Sequence, residues 1–275
     1  MKKNSIIAYI VLFVILAFAF VPIIMMLFMS LKDTVTIYGD FWAPPVPPKW
    51  GNYSSALLDN LPAMMNSIII SSVTALCIVA LGSISGYVFA RLEFLGKEFL
   101  FYLIIILLMI PGVLTLTPNF ILATKLGLRN SWFGLWFFYI AGGQVFAIFL
   151  MRTFFASQPS DIFDSARIDG ASELQCIWNI AVPLARPSLI TIGIMNFLGT
   201  FNDLIWPLLI ISDRKKETLM MALQHYNPNV QMIISRPDIG IQTAAYAFAC
   251  LPILLVFILG MRYYIEGITA GALKA

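Results

Sequence analysis

The residues that could perform chemistry in this chain are few, and their spacing fits no catalytic centre. His225 is the only histidine, so a serine hydrolase would need it beside its nucleophile, and an aspartate dyad would need a second acid beside Asp203. Three cysteines (Cys77, Cys176 and Cys250) lack metal-ligand spacing, and we expect them to be small packing residues. No Gly-x-x-x-x-Gly-Lys-Ser/Thr phosphate loop occurs. We therefore expect no enzyme activity and no metal or cofactor bound by this chain.

The composition is that of a membrane protein. Of 275 residues, 60% are apolar and only 11% are charged, whereas soluble domains carry about 25% charged residues. The mean hydropathy is +0.88. So few charges could not cover the surface of a soluble fold. The net charge is only +3, and the 17 basic residues are scattered along the chain, which argues against a nucleic-acid partner. The composition predicts an all-α, multi-pass protein whose main surroundings are the lipid bilayer.

Gaps between charged residues predict the membrane spans. A helix needs about 20 residues to cross the hydrocarbon layer, and six windows of that kind occur, one of them interrupted only by Asp203. We predict spans at 6–29, 66–90, 99–122, 131–151, 187–211 and 242–264. The first is too long for a cleaved signal peptide and is expected to remain as an anchor. Both termini then lie on one side, but the basic residues divide almost evenly, so the positive-inside rule gives no orientation.

The predicted spans divide the chain into an anchor helix (1–30), an outer loop (31–65), a core (66–265) and a tail (266–275). Within the core lie a charged loop at 152–186 and a second outer loop at 212–241. The Pro-rich stretch 43–48 predicts a stiff, extended segment. The stretch 212–241 is polar, and His225 is expected to be exposed there. The pair Tyr263 and Tyr264 fits an interfacial aromatic belt.

The charged loop predicts a helix, a turn and a second helix. Ser160 or Asp161 could cap the first helix, with Asp161 and Asp164 in its first turn, and Gly170 could end it in a left-handed conformation. Apolar residues share one face of each helix: Ile162, Phe163 and Ala166 on the first, and Leu174, Ile177, Trp178 and Ala181 on the second. On these grounds alone, a simple surface connector remains the alternative.

Asp203 is the one acidic residue inside a predicted span. A charge at the bilayer centre costs at least about 2.5–3.5 kcal/mol, so it suggests a function. Two interpretations stay open, namely a translocation path shared with Asn202, or hydrogen bonding between helices or at the membrane interface. Gly82 and Gly86, at small-xxx-small spacing, and Pro111 predict helix packing and a kink.

The charged loop resembles the EAA motif of permease subunits in binding-protein-dependent ATP-binding-cassette importers. That motif reads Glu-Ala-Ala, three residues, Gly, nine residues and Ile-x-Leu-Pro. Here Asp164-Ser165-Ala166 is followed at the same spacing by Gly170 and by Ile180-Ala181-Val182-Pro183. The departures, Asp for Glu, Ser for Ala and Val for Leu, are conservative.

The similarity covers about residues 50–275 and points to the carbohydrate branch, which includes the six-span permease of the maltose system. The matching stretches are Asn66-Ser67, 86–92, 126–128, 166–172, Asn202-Asp203 with Pro207-Leu208, and 266–274. The resemblance implies the type I importer permease fold and a place in a bacterial or archaeal cell membrane, with both termini cytoplasmic.

The resemblance also implies partners and sites. The partners are a second permease subunit, two ATPase subunits that hold ATP and magnesium, and an extracytoplasmic solute-binding protein. The residues expected to couple to the ATPase are Asp161, Asp164, Ser165, Ala166, Ile168, Asp169, Gly170, Ala171 and Pro183. Asn66, Asn202 and Asp203 are candidates for the translocation path. The implied function is sugar import, with glycerol phosphate or a polyol as the alternative solute. A stand-alone secondary transporter is disfavoured, because such proteins usually carry inverted repeats and more intramembrane ionisable groups.

Overall fold

The computed structural model describes residues 2–226 and 238–272, with side chains for 8–226 and 238–262. Every regular element in these described ranges is helical, as the sequence predicted. The helices are α1 (Lys2–Ser30), α2 (Thr34–Gly39), α3 (Gly51–Arg91), α4 (Lys97–Ile106), α5 (Gly112–Lys125), α6 (Trp132–Ala156), α7 (Ser160–Ile168), α8 (Glu173–Cys176), α9 (Val182–Leu184), α10 (Arg186–Phe201), α11 (Ile205–Ile210), α12 (Leu219–Gln224) and α13 (Ile239–Ala272).

Four helices are long and apolar enough to cross a membrane, at Ala8–Ser30, Gly51–Arg91, Trp132–Ala156 and Ile239–Arg262. Two bent helix pairs, 97–109 with 112–125 and 173–184 with 186–201, raise the number to as many as six. Five of the six predicted spans fall on these helices or on the first bent pair, whereas the predicted span 187–211 overlaps only the second helix of its pair, α10, and continues through α11. The side chains of Tyr263 and Tyr264, predicted to lie in an aromatic belt, are outside the described ones.

Two of the predicted spans are not continuous helices. The prediction of one span over 99–122 is wrong in this respect, because α4 and α5 meet at 103°. Pro111 precedes α5 and Ile110 is extended. This is expected because a proline disfavours helical conformation in the residue before it. The predicted span 187–211 is interrupted at 202–204, between α10 and α11.

The first of two compact units contains residues 1–64 and 221–251. Residues 51–65, predicted as loop, are the first turns of α3, whereas 43–48 carry no regular secondary structure. Between α1 and α3, the buried Lys32 ammonium donates to the carbonyl of Phe41 at 2.8 Å. Asp33 caps α2, and the Thr36 backbone N–H, followed by the Thr36 hydroxyl, lowers the pKa of its carboxyl to about 2. This stretch is thus a folded cap and not a plain loop.

The predicted polar loop at 212–241 also contains more structure than expected. It includes α12, where Leu219, Met221, Ala222 and Leu223 are buried. His225, expected to be exposed, is half-buried, because it directly follows this buried helix. Residues 227–237 lie outside the described part of the chain.

The second unit, residues 65–220 and 252–275, holds the main core. There α3 packs closely on α6 through the two predicted small residues. A Cβ atom on Gly82 would lie 2.8 Å from the Cβ of Ala147, and one on Gly86 would lie 2.5 Å from the Cβ of Met151. The sequence prediction that these glycines serve helix packing is confirmed. Cys176 is buried in the same core.

Candidate functional site

The predicted helix, turn and helix are present in the charged loop. After α6 ends at Ala156, α7 runs from Ser160 to Ile168, and Gly170 follows with a φ of +85°. Ser172 then forms a capping box with Gln175 at the start of α8. The predicted cap on α7 is wrong, because Pro159 occupies the cap position and no side chain caps that helix.

Phe163 fastens α7 to the membrane helices. Its side chain is 1% exposed and its ring centroid lies 6.0 Å from that of Tyr87 on α3. The guanidinium of Arg91, the last residue of α3, lies 4.3 Å from the centroid of the Phe163 ring, which is a cation–π geometry. Arg91 also donates to the carbonyl of Gln158, and Gln158 donates to the carbonyl of Ala181 at 3.2 Å. The loop is therefore held at both of its ends.

A charged network closes the turn around Gly170. Arg167 donates from Nε to Glu173 at 2.9 Å and from Nη1 to Asp164 at 3.1 Å. The Tyr87 hydroxyl donates to the other oxygen of Glu173 at 2.7 Å. Hydrogen bonding from Arg167, and to a smaller extent from Tyr87, lowers the pKa of the Glu173 carboxyl. Charge-assisted bonds of this kind are among the stronger ones in proteins, so α7 and α8 are tied to each other and to α3.

Sequence reasoning found the loop but not the residues that hold it. Tyr87 and Arg91 were noticed only as part of the matching stretch 86–92. The signal for Arg91 was its position, a basic residue at the end of an apolar span. Neither residue's partner could be found without the fold, because Phe163 and Glu173 lie more than seventy positions later in the sequence.

The faces of the two short helices differ from the predicted ones. Phe163 and Ala166 turn inward as expected, but Ile162 is exposed. On the second helix, Ile177 and Ala181 are buried, whereas Leu174 and Trp178 are exposed. Residues 177–181 form a π-helical turn, so the 3.6-residue period used in the prediction does not hold there.

Most of the predicted coupling residues lie on the surface. Ile168 is 86% exposed. Asp161, Asp164, Ser165, Asp169 and Gly170 are also exposed, and Ala166, Ala171 and Pro183 are half-buried. The loop thus presents exposed acids beside the exposed apolar side chains of Ile162, Ile168, Leu174 and Trp178. An exposed apolar patch rimmed by polar residues is typical of a protein interaction site.

A second candidate site lies between α6 and α10. It is a cavity of about 430 Å³ lined by Phe138, Tyr139, Gly142, Gly143, Met195, Asn196, Gly199, Thr200, Asn202 and Asp203. Asp203 lies in the break between α10 and α11, where one carboxylate oxygen accepts from the Tyr139 hydroxyl at 2.7 Å and the other from the Ile205 N–H at 3.0 Å. The structure therefore contains both the bond between helices and the cavity that the two interpretations of Asp203 required.

The third predicted path residue lies elsewhere. Asn66 donates to the carbonyls of Lys215 and Glu217, at 3.0 and 2.9 Å, and does not line the cavity. The structure brings Asn202 and Asp203 together but not Asn66, whose amide holds the segment before α12. Among the side chains that the structure describes, no three His, Cys, Asp or Glu residues are grouped to hold a metal ion.

These features define a helical membrane component with a loop suited to a partner protein, and comparison with known proteins identifies its family. Residues 78–269 match the family of binding-protein-dependent transport system inner membrane components, so the chain belongs to that family. It is 30% identical to the diacetylchitobiose uptake system permease protein NgcG of Streptomyces coelicolor, over 92% of this chain and 84% of that protein. It is also 30% identical to the trehalose transport system permease protein SugB of Mycobacterium tuberculosis, over 94% of each chain.

Solved structures show the same fold. One chain from a bacterial ABC transporter that imports the acidic polysaccharide alginate superposes with a TM-score of 0.80 at 22% sequence identity. The match covers 96% of this chain and 97% of that one. The chain described here therefore has the ABC importer permease fold expected from its sequence.

Proposed function

We propose that this chain is one of two permease subunits in a sugar importer, and that ATP hydrolysis in two cytoplasmic ATPase subunits drives it through residues 160–183. A solute-binding protein delivers the sugar on the opposite side of the membrane. The observation that carries the proposal is the loop itself, which combines an exposed apolar and acidic surface with buried attachments to α3.

The names of the relatives support a sugar as the solute. Besides diacetylchitobiose and trehalose, the chain is 30% identical to the trehalose/maltose transport system permease protein MalG of Thermococcus litoralis, over 92% of this chain. Glycerol phosphate or a polyol is the second candidate solute. The chain is also 29% identical to an uptake permease for osmoprotective compounds from Synechocystis, so solutes of relatives are not confined to sugars by name.

The contacts of α7 support a route by which motion in the ATPase would reach the membrane helices. A partner that contacts Ile168 displaces a helix, α7, whose other face carries the buried Phe163. Because Phe163 lies against Tyr87 and Arg91, displacement of α7 is passed to α3. Well-packed interfaces transmit such shifts because they deform little.

Docking of the ATPase on residues 160–183 gives the orientation that the charge count could not. With six spans, both termini are then cytoplasmic, and the α2 region lies on the outer side. That region exposes large apolar side chains, namely Val35, Tyr38, Trp42, Val46 and Trp50. We propose this surface as a docking site for the solute-binding protein.

The docking surface is tested by changing its most exposed apolar residue. We expect Ile168→Glu to weaken co-purification of the ATPase subunits by about tenfold or more, the loss typical of a truncated interface anchor. The matched control is Leu95→Glu, at a fully exposed leucine in the turn between α3 and α4, which should leave ATPase binding unchanged. Equal ATPase recovery from both variants would rule out Ile168 as part of the docking surface.

A further inference from the structure

We infer that the cavity between α6 and α10 is a solute-contact site that accepts a neutral, hydroxyl-rich molecule and disfavours an acidic one. The inference rests on the proposed function and adds a substrate class to it. It depends on three features of the cavity, which are its hydrogen-bonding groups, its shape and its charge.

The polar groups of the cavity include both acceptors and donors, because Thr200 and Asn202 line it beside Tyr139, Asn196 and Asp203. A carboxylate offers about four acceptor positions, and Asp203 uses only two of them, for Tyr139 and Ile205. The Tyr139 proton is committed to Asp203, so the phenol oxygen can only accept from a solute. Asn196 donates one amide hydrogen to the Ile192 carbonyl at 2.9 Å, which leaves a carbonyl oxygen and one hydrogen. Sugar hydroxyls both donate and accept hydrogen bonds, so they match this mixed set of groups.

The shape of the cavity leaves room for a ligand. A Cβ atom placed on Gly142 or on Gly199 would have no other heavy atom within 4 Å, so the walls near these glycines are open. The aromatic side chains of Phe138 and Tyr139 provide the apolar wall. The cavity has a volume of about 430 Å³ and is open on one side, where Gly142 and Gly199 are exposed; like small-molecule sites, it combines apolar walls with a few polar groups.

The charge of the cavity selects against acids. Asp203 is the one charged residue in the lining, which contains no lysine, arginine or histidine. A carboxylate inside a membrane protein usually faces the bundle interior or a water-filled cavity, and there it repels other anions more strongly than in bulk water. One chain of the alginate transporter shares this fold, and that transporter takes part in the import of an acidic polysaccharide, so the fold alone does not fix the charge of the solute.

The test measures the charge of the cavity directly. Gly199→Cys is introduced into the assembled importer after the three native cysteines are replaced by serine or alanine. Its reaction rate is then measured with a cationic and with an anionic methanethiosulfonate reagent. We expect the rate ratio, normalised to free thiol in solution, to favour the cation by about tenfold or more. In Asp203→Asn the normalised ratio should fall to near one.

The matched control is Asp213→Asn. Asp213 accepts from the Lys215 N–H at 3.0 Å, as Asp203 does from the Ile205 N–H, but it lies outside the cavity lining. This control should leave the rate ratio unchanged, and neither variant should change the thermal unfolding midpoint of the assembly. A loss of stability in Asp203→Asn with no change in the ratio would show that Asp203 only holds helices together, and would overturn the inference.

Protection by solute is the second measurement. Maltose, trehalose and diacetylchitobiose at millimolar concentration are compared with digalacturonate as blockers of the cysteine reaction. We expect at least one neutral sugar to slow the reaction and digalacturonate to leave it unchanged. Protection by digalacturonate, protection by none of the four, or a cysteine that does not react because the second permease covers it would each overturn the inference. Neither measurement requires ATP hydrolysis. The inference about the cavity can therefore be overturned while the proposed importer function stands, and the reverse also holds.

Discussion

Replacing Gly170 with valine should abolish solute uptake while leaving the chain in the membrane. Gly170 has a φ of +85°, a conformation that costs other residues about 1–3 kcal/mol, and β-branched residues most of all. A Cβ there would meet nothing within 4 Å, so the damage comes from the backbone alone. If the turn adopts another backbone conformation to accommodate valine, the hydrogen bond from the Ala171 N–H to the Ala166 carbonyl, 2.9 Å long, is lost. The angle between α7 and α8 is then no longer fixed.

The matched control is Gly170→Asn, because asparagine tolerates the left-handed region. We expect this variant to retain most uptake and most of the ATPase stimulation that the loaded binding protein causes. Both variants are quantified in membranes by immunoblot and then assayed for uptake. Normal uptake in Gly170→Val would show that the turn geometry has no part in coupling.

Replacing Phe163 with alanine should have the second large effect. Removing a buried phenylalanine typically costs about 3–5 kcal/mol, and here it also removes the ring that packs against Tyr87 and the Arg91 guanidinium. We expect ATP-driven uptake to fall by about tenfold or more, because α7 loses its packed attachment to α3 and coupling between sites is typically worth about 1–3 kcal/mol. Basal ATP hydrolysis should persist, because the exposed surface of the loop is unchanged.

Uptake and ATPase activity of Phe163→Ala are measured on the same purified assembly. Phe163→Leu is the control, since leucine keeps much of the buried volume but not the cation–π contact; it should lose less uptake than alanine does. If Phe163→Ala retained full stimulation of its ATPase by the loaded binding protein, the attachment of α7 to α3 would not transmit the coupling motion.

Charge spacing predicted where the membrane helices lie because few charges occur inside them. The same spacing could not predict the bend between α4 and α5, because a stretch without charges has the same hydropathy whether its helix is straight or bent. The one local signal was Pro111, whose restriction of the preceding residue ends a helix. Nor could the spacing find the start of α3 at Gly51, because residues 51–65 mix polar and apolar side chains and are held by tertiary contacts such as that from Asn52 to the Lys32 carbonyl.

The candidate site residues could be predicted where local backbone conformation determines the residue type. They were harder to predict where the site depends on contacts between residues far apart in the sequence. Gly170 was identified from sequence because a helix end in the left-handed region favours glycine. Asp203 was identified because a charge in a span is rare. The contact between Tyr139 and Asp203, and the place of Asn66 beside Lys215 and Glu217, depend on which helices pack together. The π-helical turn at 177–181 changed the buried face, and no simple period predicts such a turn.

Uptake of labelled neutral sugars into proteoliposomes is the measurement that tests coupling through residues 160–183 most directly. The vesicles contain the full assembly with its solute-binding protein, either as wild type or with residues 160–171 replaced by a Gly/Ser linker of equal length. We predict uptake by the wild type that requires ATP and the binding protein, and none by the linker variant at equal incorporation. Sugar entry driven by an ion gradient without ATP, or ATP-driven entry that survives the linker replacement, would contradict this account.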